Sequence, residues 1–89
     1  MIVEFDKSFE KSLDRLKDKS LHPKIEKLID SIENAESLSE LSNIKKLSGY
    51  KAYFRFRIGE YRLGFEKIDE ETVRFIIIDH RKNIYKAFP

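Results

Sequence analysis

The feature that most constrains the fold of this chain is a run in which apolar and polar side chains alternate. The run extends from Tyr53 to Glu66 and is interrupted once, by the dipeptide Gly59-Glu60. A period of two is typical of β-strands, and a two-residue loop that begins with glycine suits a tight hairpin turn. We therefore predict a β-hairpin whose strands meet at Gly59-Glu60.

This hairpin has a face that carries arginines, which we call the arginine face. The register sets Arg57 opposite Arg62 and Arg55 opposite Gly64, while the apolar residues point to the other face. Two directly opposed arginines repel each other, at a cost of about 0.2–1 kcal/mol. Because guanidinium groups bind phosphate oxygens in a bidentate manner, we predict a phosphate-binding surface, with Gly64 leaving open space beside Arg55.

An alternative is that nearby acids neutralise the arginines as surface ion pairs. The candidate acids are Glu60, Glu66 and Asp79. Of these, Glu66 is better placed to pair with Arg74, which favours the phosphate-binding interpretation.

The rest of the chain predicts a single α+β domain over residues 1–89. We expect a short N-terminal strand, a helix from Lys7 to about Lys17, and a second helix in which Pro23 takes the first position. A capping box at Ser37–Glu40 predicts one more helical turn. The β-branched run from Thr72 to Ile78 predicts a strand buried on both faces. Together these elements give an antiparallel helical hairpin and a three-stranded antiparallel meander, followed by a short C-terminal helix or tail.

Three further candidate site residues follow the last strand. Pairing through the turn at Asp69–Glu71 would put Arg62 near Ile78, and would bring His80 and Arg81 to the rim of the arginine face. Histidine can carry a proton near neutral pH, and arginine supplies a fixed cation. Tyr85 supplies a ring that can stack on a base.

The charge of the chain is divided unevenly between its two halves. Residues 1–44 hold 7 Lys+Arg and 10 Asp+Glu, whereas residues 45–89 hold 11 and 6. Nine of the eleven aromatic residues also lie in the second half. A basic, aromatic-rich segment predicts a polyanionic partner such as nucleic acid.

Several classes of site and location are disfavoured by composition. The chain has no cysteine and two distant histidines, so we expect no disulfide, no metal site and no cofactor. Its N-terminus has no apolar run, so we expect neither a signal peptide nor a membrane span, and a cytoplasmic location.

Three strings together resemble the RelE/ParE superfamily of type II toxins. They are IKKLSG at 44–49, YFRFRIGEYR at 53–62 and HRKNIY at 80–85, and the resemblance covers nearly the whole chain. It implies a RelE-like fold of the microbial ribonuclease type and a cognate antitoxin protein as partner. The RelE branch implies a ribosome-dependent mRNA endoribonuclease that inhibits translation. The alternative is a ParE-like inhibitor of DNA gyrase or a catalytically impaired homologue.

The resemblance also implies roles for individual residues. Arg55 and Arg57 match two basic positions of the second strand, and Arg62 matches an arginine that contacts the scissile phosphate. Arg81 matches the arginine after the last strand, and Tyr85 matches a stacking tyrosine. Four lysines are candidate RNA contacts, with ordinary solvated surface as their alternative: Lys45, Lys46, Lys51 and Lys82.

One departure from the RelE pattern concerns the general base. RelE carries lysines where this chain has Arg55 and Arg57, and an arginine guanidinium stays protonated. The base would then be His80 or Tyr85, unless an arginine acts mainly by orienting the 2′-hydroxyl. The sequence leaves this choice open.

Overall fold

The computed structural model describes residues 1–89 as a five-stranded sheet with two helices packed on one face and a short helix on the other. Along the chain, the elements are β1 (Ile2–Phe5), α1 (Lys7–Arg15), α2 (Leu21–Asn34), a 3₁₀ turn (Leu38–Glu40), β2 (Ile44–Lys46), β3 (Tyr53–Ile58), β4 (Tyr61–Lys67), β5 (Thr72–His80) and α3 (Ile84–Ala87). The strand order is β1-β5-β4-β3-β2, with β1 parallel to β5 and the other neighbours antiparallel. The α+β fold and its C-terminal helix are confirmed.

The β3–β4 hairpin has the predicted register. Arg57 lies opposite Arg62, and Arg55 lies opposite Gly64. Gly59 has a φ of +58°, a left-handed conformation that glycine adopts without strain. The short loop therefore fixes which side chains share each face of the hairpin.

The helices begin and end close to the predicted positions. Asp6 caps α1 by accepting hydrogen bonds from the hydroxyl and amide of Ser8, and these bonds lower the pKa of Asp6. Helix α1 ends at Arg15, earlier than expected, and α2 begins at Leu21, so Pro23 takes the third position rather than the first. A proline is tolerated there because N–H groups of a first helical turn have no intrahelical acceptor.

The main hydrophobic core lies between the sheet and the helices α1 and α2. Its ten buried residues come from both helices and from the three central strands: Phe9, Leu21, Ile25, Ile32, Phe56, Leu63, Phe65, Val73, Phe75 and Ile78. Burying a side chain of this size contributes about 1.5–3 kcal/mol. This core anchors the apolar face of the hairpin and leaves the arginine face on the opposite side.

A second, smaller core covers part of the arginine face. Leu47, Ile84 and Phe88 are buried there, packed against partly buried Ile76 and Ile77 of β5. Strand β5 is therefore covered on both faces, as predicted. This core attaches α3 to the sheet.

Two strand pairings were not expected from the sequence. Strand β2 pairs with β3 through only three residues, and β1 joins the sheet in parallel at the edge of β5. A three-residue strand has too few residues to show a period. The parallel pairing joins segments far apart in sequence, which local patterns do not report.

Gly64 is needed for packing against the C-terminal helix. A Cβ built on Gly64 would lie 2.6 Å from Cδ2 of Phe88, well inside van der Waals contact. The prediction of open space beside Arg55 is therefore wrong, because the ring of Phe88 occupies the space over the glycine.

We expect Gly64→Ala to lower the free energy of unfolding by about 1–3 kcal/mol, because the added methyl overpacks against the Phe88 ring. Chemical denaturation would measure this. The matched control is Gly64→Ala in a Phe88→Ala background, where the cost should largely vanish and give a clear coupling energy. Equal costs in the two backgrounds would show that Phe88 is not the obstacle.

Candidate functional site

The arginine face contains a cavity of about 430 Å³, which we call the arginine cavity. It is lined by residues from β2 and its approach, from the hairpin and from α3: Asn43, Ile44, Lys45, Arg55, Arg57, Arg62 and Tyr85. Four of these seven side chains are cations and none is an acid. The cavity is therefore suited to an anionic ligand.

Arg55 forms the most buried part of this cavity. Arg55 is 9% exposed, and its guanidinium carbon lies 4.7 Å from the centroid of the Tyr85 ring. Tyr85 itself is 75% exposed. The exposed ring shields a buried cation from water on one side, and this arrangement strengthens the attraction of Arg55 for an anion that enters the cavity.

Arg57 and Arg62 are oriented by neutral acceptors. Arg57 Nη2 donates to Asn43 Oδ1 over 3.3 Å, and Arg62 Nη1 donates to the carbonyl oxygen of Gly59 over 2.9 Å and to that of Tyr61 over 2.8 Å. Neither guanidinium takes part in an ion pair. Their charges remain available to a ligand.

The acids that could neutralise these arginines either form an ion pair with another residue or form no ion pair at all. Glu60 forms an ion pair with Arg81, over 2.9 Å, and Arg74 pairs with Glu4 over 3.0 Å. The expected pair between Glu66 and Arg74 is therefore wrong, because β1 lies beside β5 and presents Glu4. None of the ion pairs involves the arginines of the cavity.

His80 does not lie where the sequence placed it. It is opposite Tyr61 across the β4–β5 ladder, with ring centroids 5.6 Å apart, and its Nδ1 accepts from the backbone N–H of Lys82. Tyr61 packs against the main core, so His80 lies on the helix side of the sheet. The prediction that His80 lies at the rim of the arginine face is wrong.

A β-bulge explains this difference. Phe65 pairs with Phe75 as expected, but Gly64 then pairs with Ile77, so Ile76 is an extra residue in β5. A shift of one residue moves every later side chain to the opposite face. Asp79, rather than Ile78, therefore lies opposite Arg62.

The other predicted residues divide into two groups. Lys45 lies opposite Arg55 and lines the arginine cavity, whereas Lys46 lies opposite Phe54 and so belongs to the other face. Lys46 and Lys51 line a separate surface depression. Two further predicted residues, Arg81 and Lys82, are exposed and do not line the cavity.

Asn43 is a site residue that the sequence analysis missed. It has a φ of +60°, lines the cavity and holds Arg57 through its side-chain oxygen. Asparagine is one of the few residues that adopt this conformation readily. An isolated asparagine ahead of a three-residue strand gives no signal of this role in the sequence.

The structure also bears on metal binding and on membrane insertion. No three histidine, cysteine or acidic side chains are grouped so that they could hold a metal ion. No helix has the length and apolar character needed to span a bilayer.

Comparison with known proteins identifies the family. The family described as ParE toxin of type II toxin-antitoxin system, parDE, matches residues 3–85. The chain belongs to the RelE/ParE superfamily of type II toxins. It is 39% identical to Toxin RelE3 of Methanocaldococcus jannaschii over 90 residues, which covers 100% of both chains.

Solved structures of RelE/ParE toxins share the fold. The RelB-RelE antitoxin-toxin complex from Methanococcus jannaschii matches with a TM-score of 0.79 and 36% identity, over 97% of this chain and 99% of that chain. The archaeal RelE-RelB complex from Pyrococcus horikoshii matches with a TM-score of 0.69 and 22% identity, over 90% and 93% of the two chains. The chain is thus a RelE homologue, a toxin of the type II toxin–antitoxin class.

In this RelE homologue, we expect Tyr85→Phe to leave the unfolding free energy nearly unchanged, because the ring over Arg55 is retained. Tyr85→Ala should lower it by about 0.5–1 kcal/mol, the usual size of an exposed cation–π contact. Denaturation of both variants, alone and with Arg55→Ala, would measure the coupling. A coupling energy near zero would show that the contact contributes nothing to stability.

Proposed function

We propose that this toxin is a ribosome-dependent mRNA endoribonuclease that inhibits translation. The observation that carries the proposal is the arginine cavity, in which Arg55, Arg57 and Arg62 converge beside an exposed tyrosine ring and none of the three forms an ion pair. Three cations suit a phosphodiester whose negative charge increases during reaction. The family's RelE branch supplies the substrate class.

The chemistry proposed is an internal transesterification. The 2′-oxygen of one nucleotide attacks its own 3′-phosphate and loses its proton, while the bond from phosphorus to the 5′-oxygen of the next nucleotide breaks. The products are a 2′,3′-cyclic phosphate and a 5′-hydroxyl, after a proton reaches the leaving oxygen. Arg62, with Arg57 and Arg55, stabilises the additional charge on the phosphate oxygens.

The placement of the side chains favours Tyr85 over His80 as the proton carrier. Tyr85 presents its phenol at the cavity, whereas His80 lies on the other face of the sheet. The geometry supports Tyr85 as the residue that stacks on the base and shares a proton with the reacting oxygens. Arg81 can assist the leaving oxygen after its exposed pair with Glu60 breaks, since such pairs contribute at most about 1 kcal/mol.

The partners proposed are a cognate antitoxin, the ribosome and mRNA. The Methanococcus jannaschii relative was solved as an antitoxin–toxin complex, which supports an antitoxin for this chain. An acidic antitoxin segment that covers the arginine cavity would inhibit the toxin through the same charges that bind RNA. A ribosomal target places the protein in the cytoplasm.

The alternative function is ParE-like inhibition of DNA gyrase. It is favoured by one finding, the match of residues 3–85 to the ParE toxin family. That activity would not need the arginine cavity to bind a reacting phosphate. A supercoiling assay beside a translation assay separates the two functions, because arrest of gyrase with translation intact would contradict the nuclease proposal.

We expect Arg62→Ala to lower mRNA cleavage on translating ribosomes by about a hundredfold or more, the usual effect of removing one donor that stabilises transition-state charge. Primer extension on translated mRNA would measure it. The matched control is Arg15→Ala, which removes an exposed arginine of α1 outside the cavity. Cleavage at the native rate by Arg62→Ala would remove Arg62 from the mechanism.

A second pair of variants tests the proton carrier. If Tyr85 acts mainly by stacking, Tyr85→Phe should keep most of the activity and Tyr85→Ala should lose it. If the phenol oxygen carries the proton, Tyr85→Phe should fail as well. His80→Gln serves as the comparison in the same primer-extension assay, and we expect near-native cleavage because its ring faces Tyr61. A reduced rate with a flattened pH profile in His80→Gln would restore His80 as the proton carrier.

A further inference from the structure

A second and larger cavity adjoins the arginine cavity. It has a volume of about 670 Å³ and lies between α2 and β3, on the helix side of the sheet. We call it the lysine groove, after Lys24 and Lys27, which line it. Arg57 and Asn43 line both cavities, because β2 is too short to cover the end of β3 there. The two cavities therefore meet around this edge of the sheet.

Helix α2 separates its charges between two stripes. Lys24, Lys27, Ser31 and Asn34 line the groove, at spacings of three and four residues that place them on one side of a helix. The acids of the same helix fall outside that stripe and do not line the groove: Glu26, Asp30 and Glu33. The acidic N-terminal half of the chain thus presents a basic surface at this position.

The cations of the lysine groove are available to a ligand. Lys24 and Lys27 are exposed and take part in no ion pair. One acid lines the groove, Glu40, and its Oε2 already accepts from the backbone N–H groups of Glu36 and Ser37 over 2.6 and 2.9 Å. The charged residues that line the groove, Lys24, Lys27 and Arg57 against Glu40, therefore sum to a net positive formal charge.

We propose that the lysine groove binds the single-stranded RNA segment that adjoins the phosphate held in the arginine cavity. This inference rests on the proposed function and extends it from one phosphate to a path along the strand. An RNA chain continues beyond the reacting phosphate, so its neighbouring phosphates must lie against some part of the toxin. Arg57 stands at the junction, and Lys24 and Lys27 take the next phosphates along this path.

The features of the groove favour RNA over an acidic helical peptide. Helix-in-groove recognition depends on a row of apolar anchors. Only Leu28, Leu41 and Ile58 offer half-buried apolar surface in the groove, and polar side chains separate it from the arginine cavity. Such a mixture of cations and small apolar surfaces suits a phosphate backbone with bases packed beside it.

The test compares two double variants that remove the same charge. Lys24→Ala with Lys27→Ala changes the groove, and Lys11→Ala with Lys17→Ala removes two exposed lysines that line no cavity. The probe is a 2′-O-methyl RNA octamer, which cannot be cleaved because its attacking hydroxyls are blocked. Fluorescence anisotropy at several salt concentrations gives the slope of log affinity against log salt.

The groove variant should show a shallower salt slope than the native toxin, by about 1.4, since each phosphate contact on a single strand contributes about 0.7. The control variant should keep the native slope. An unchanged slope in the groove variant, an equal change in the control, or no binding of the octamer by the native toxin would each overturn the inference. Weakened antitoxin binding with an unchanged RNA slope would assign the groove to a protein partner instead.

This binding assay is independent of cleavage. A shallower slope in the groove variant together with no mRNA cleavage by the native toxin would uphold the RNA path and reject the nuclease proposal. Cleavage of mRNA by the native toxin, together with an unchanged salt slope in the groove variant, would uphold the nuclease proposal and reject the RNA path.

Discussion

The pairing of β4 with its two neighbours determines which side chains of the hairpin and of β5 share a face with the arginine cavity. On one side, the hairpin with β3 sets Arg62 opposite Arg57. On the other, the ladder with β5 determines which residues of the following segment face the cavity and which face the helices. The repulsion within the arginine pair is tolerated because the opposite face of the same strands is buried in the main core. The main core and the arginine cavity thus occupy opposite faces of one pair of strands.

The hairpin could be predicted because its information is local. Alternation fixed the two faces, and Gly59 fixed the loop, so the positions of Arg55, Arg57 and Arg62 followed from the sequence. The helices and the capping box followed from equally local signals. The family resemblance rested on the same segments, and the comparisons confirmed it.

The positions and contacts that were predicted wrongly depend on interactions that no local sequence pattern reveals. Strand β5 is nearly continuously apolar, so its sequence does not show that Ile76 forms a bulge, and this bulge moved His80 to the other face. The parallel neighbour β1 gave Arg74 a partner, Glu4, from the other end of the chain. Gly64 was interpreted as open space, although it makes room for Phe88, 24 positions later in the sequence.

The attachment of α3 to the sheet has a consequence for how such toxins can diversify. The arginines project from strands that the main core holds, whereas Tyr85 lies on a short helix held by Ile84 and Phe88 in a separate, smaller core. The charged floor and the aromatic cover of the cavity therefore depend on different sets of contacts. Sequence drift in the last few residues can reshape the aromatic cover while the arginines of the floor stay in place.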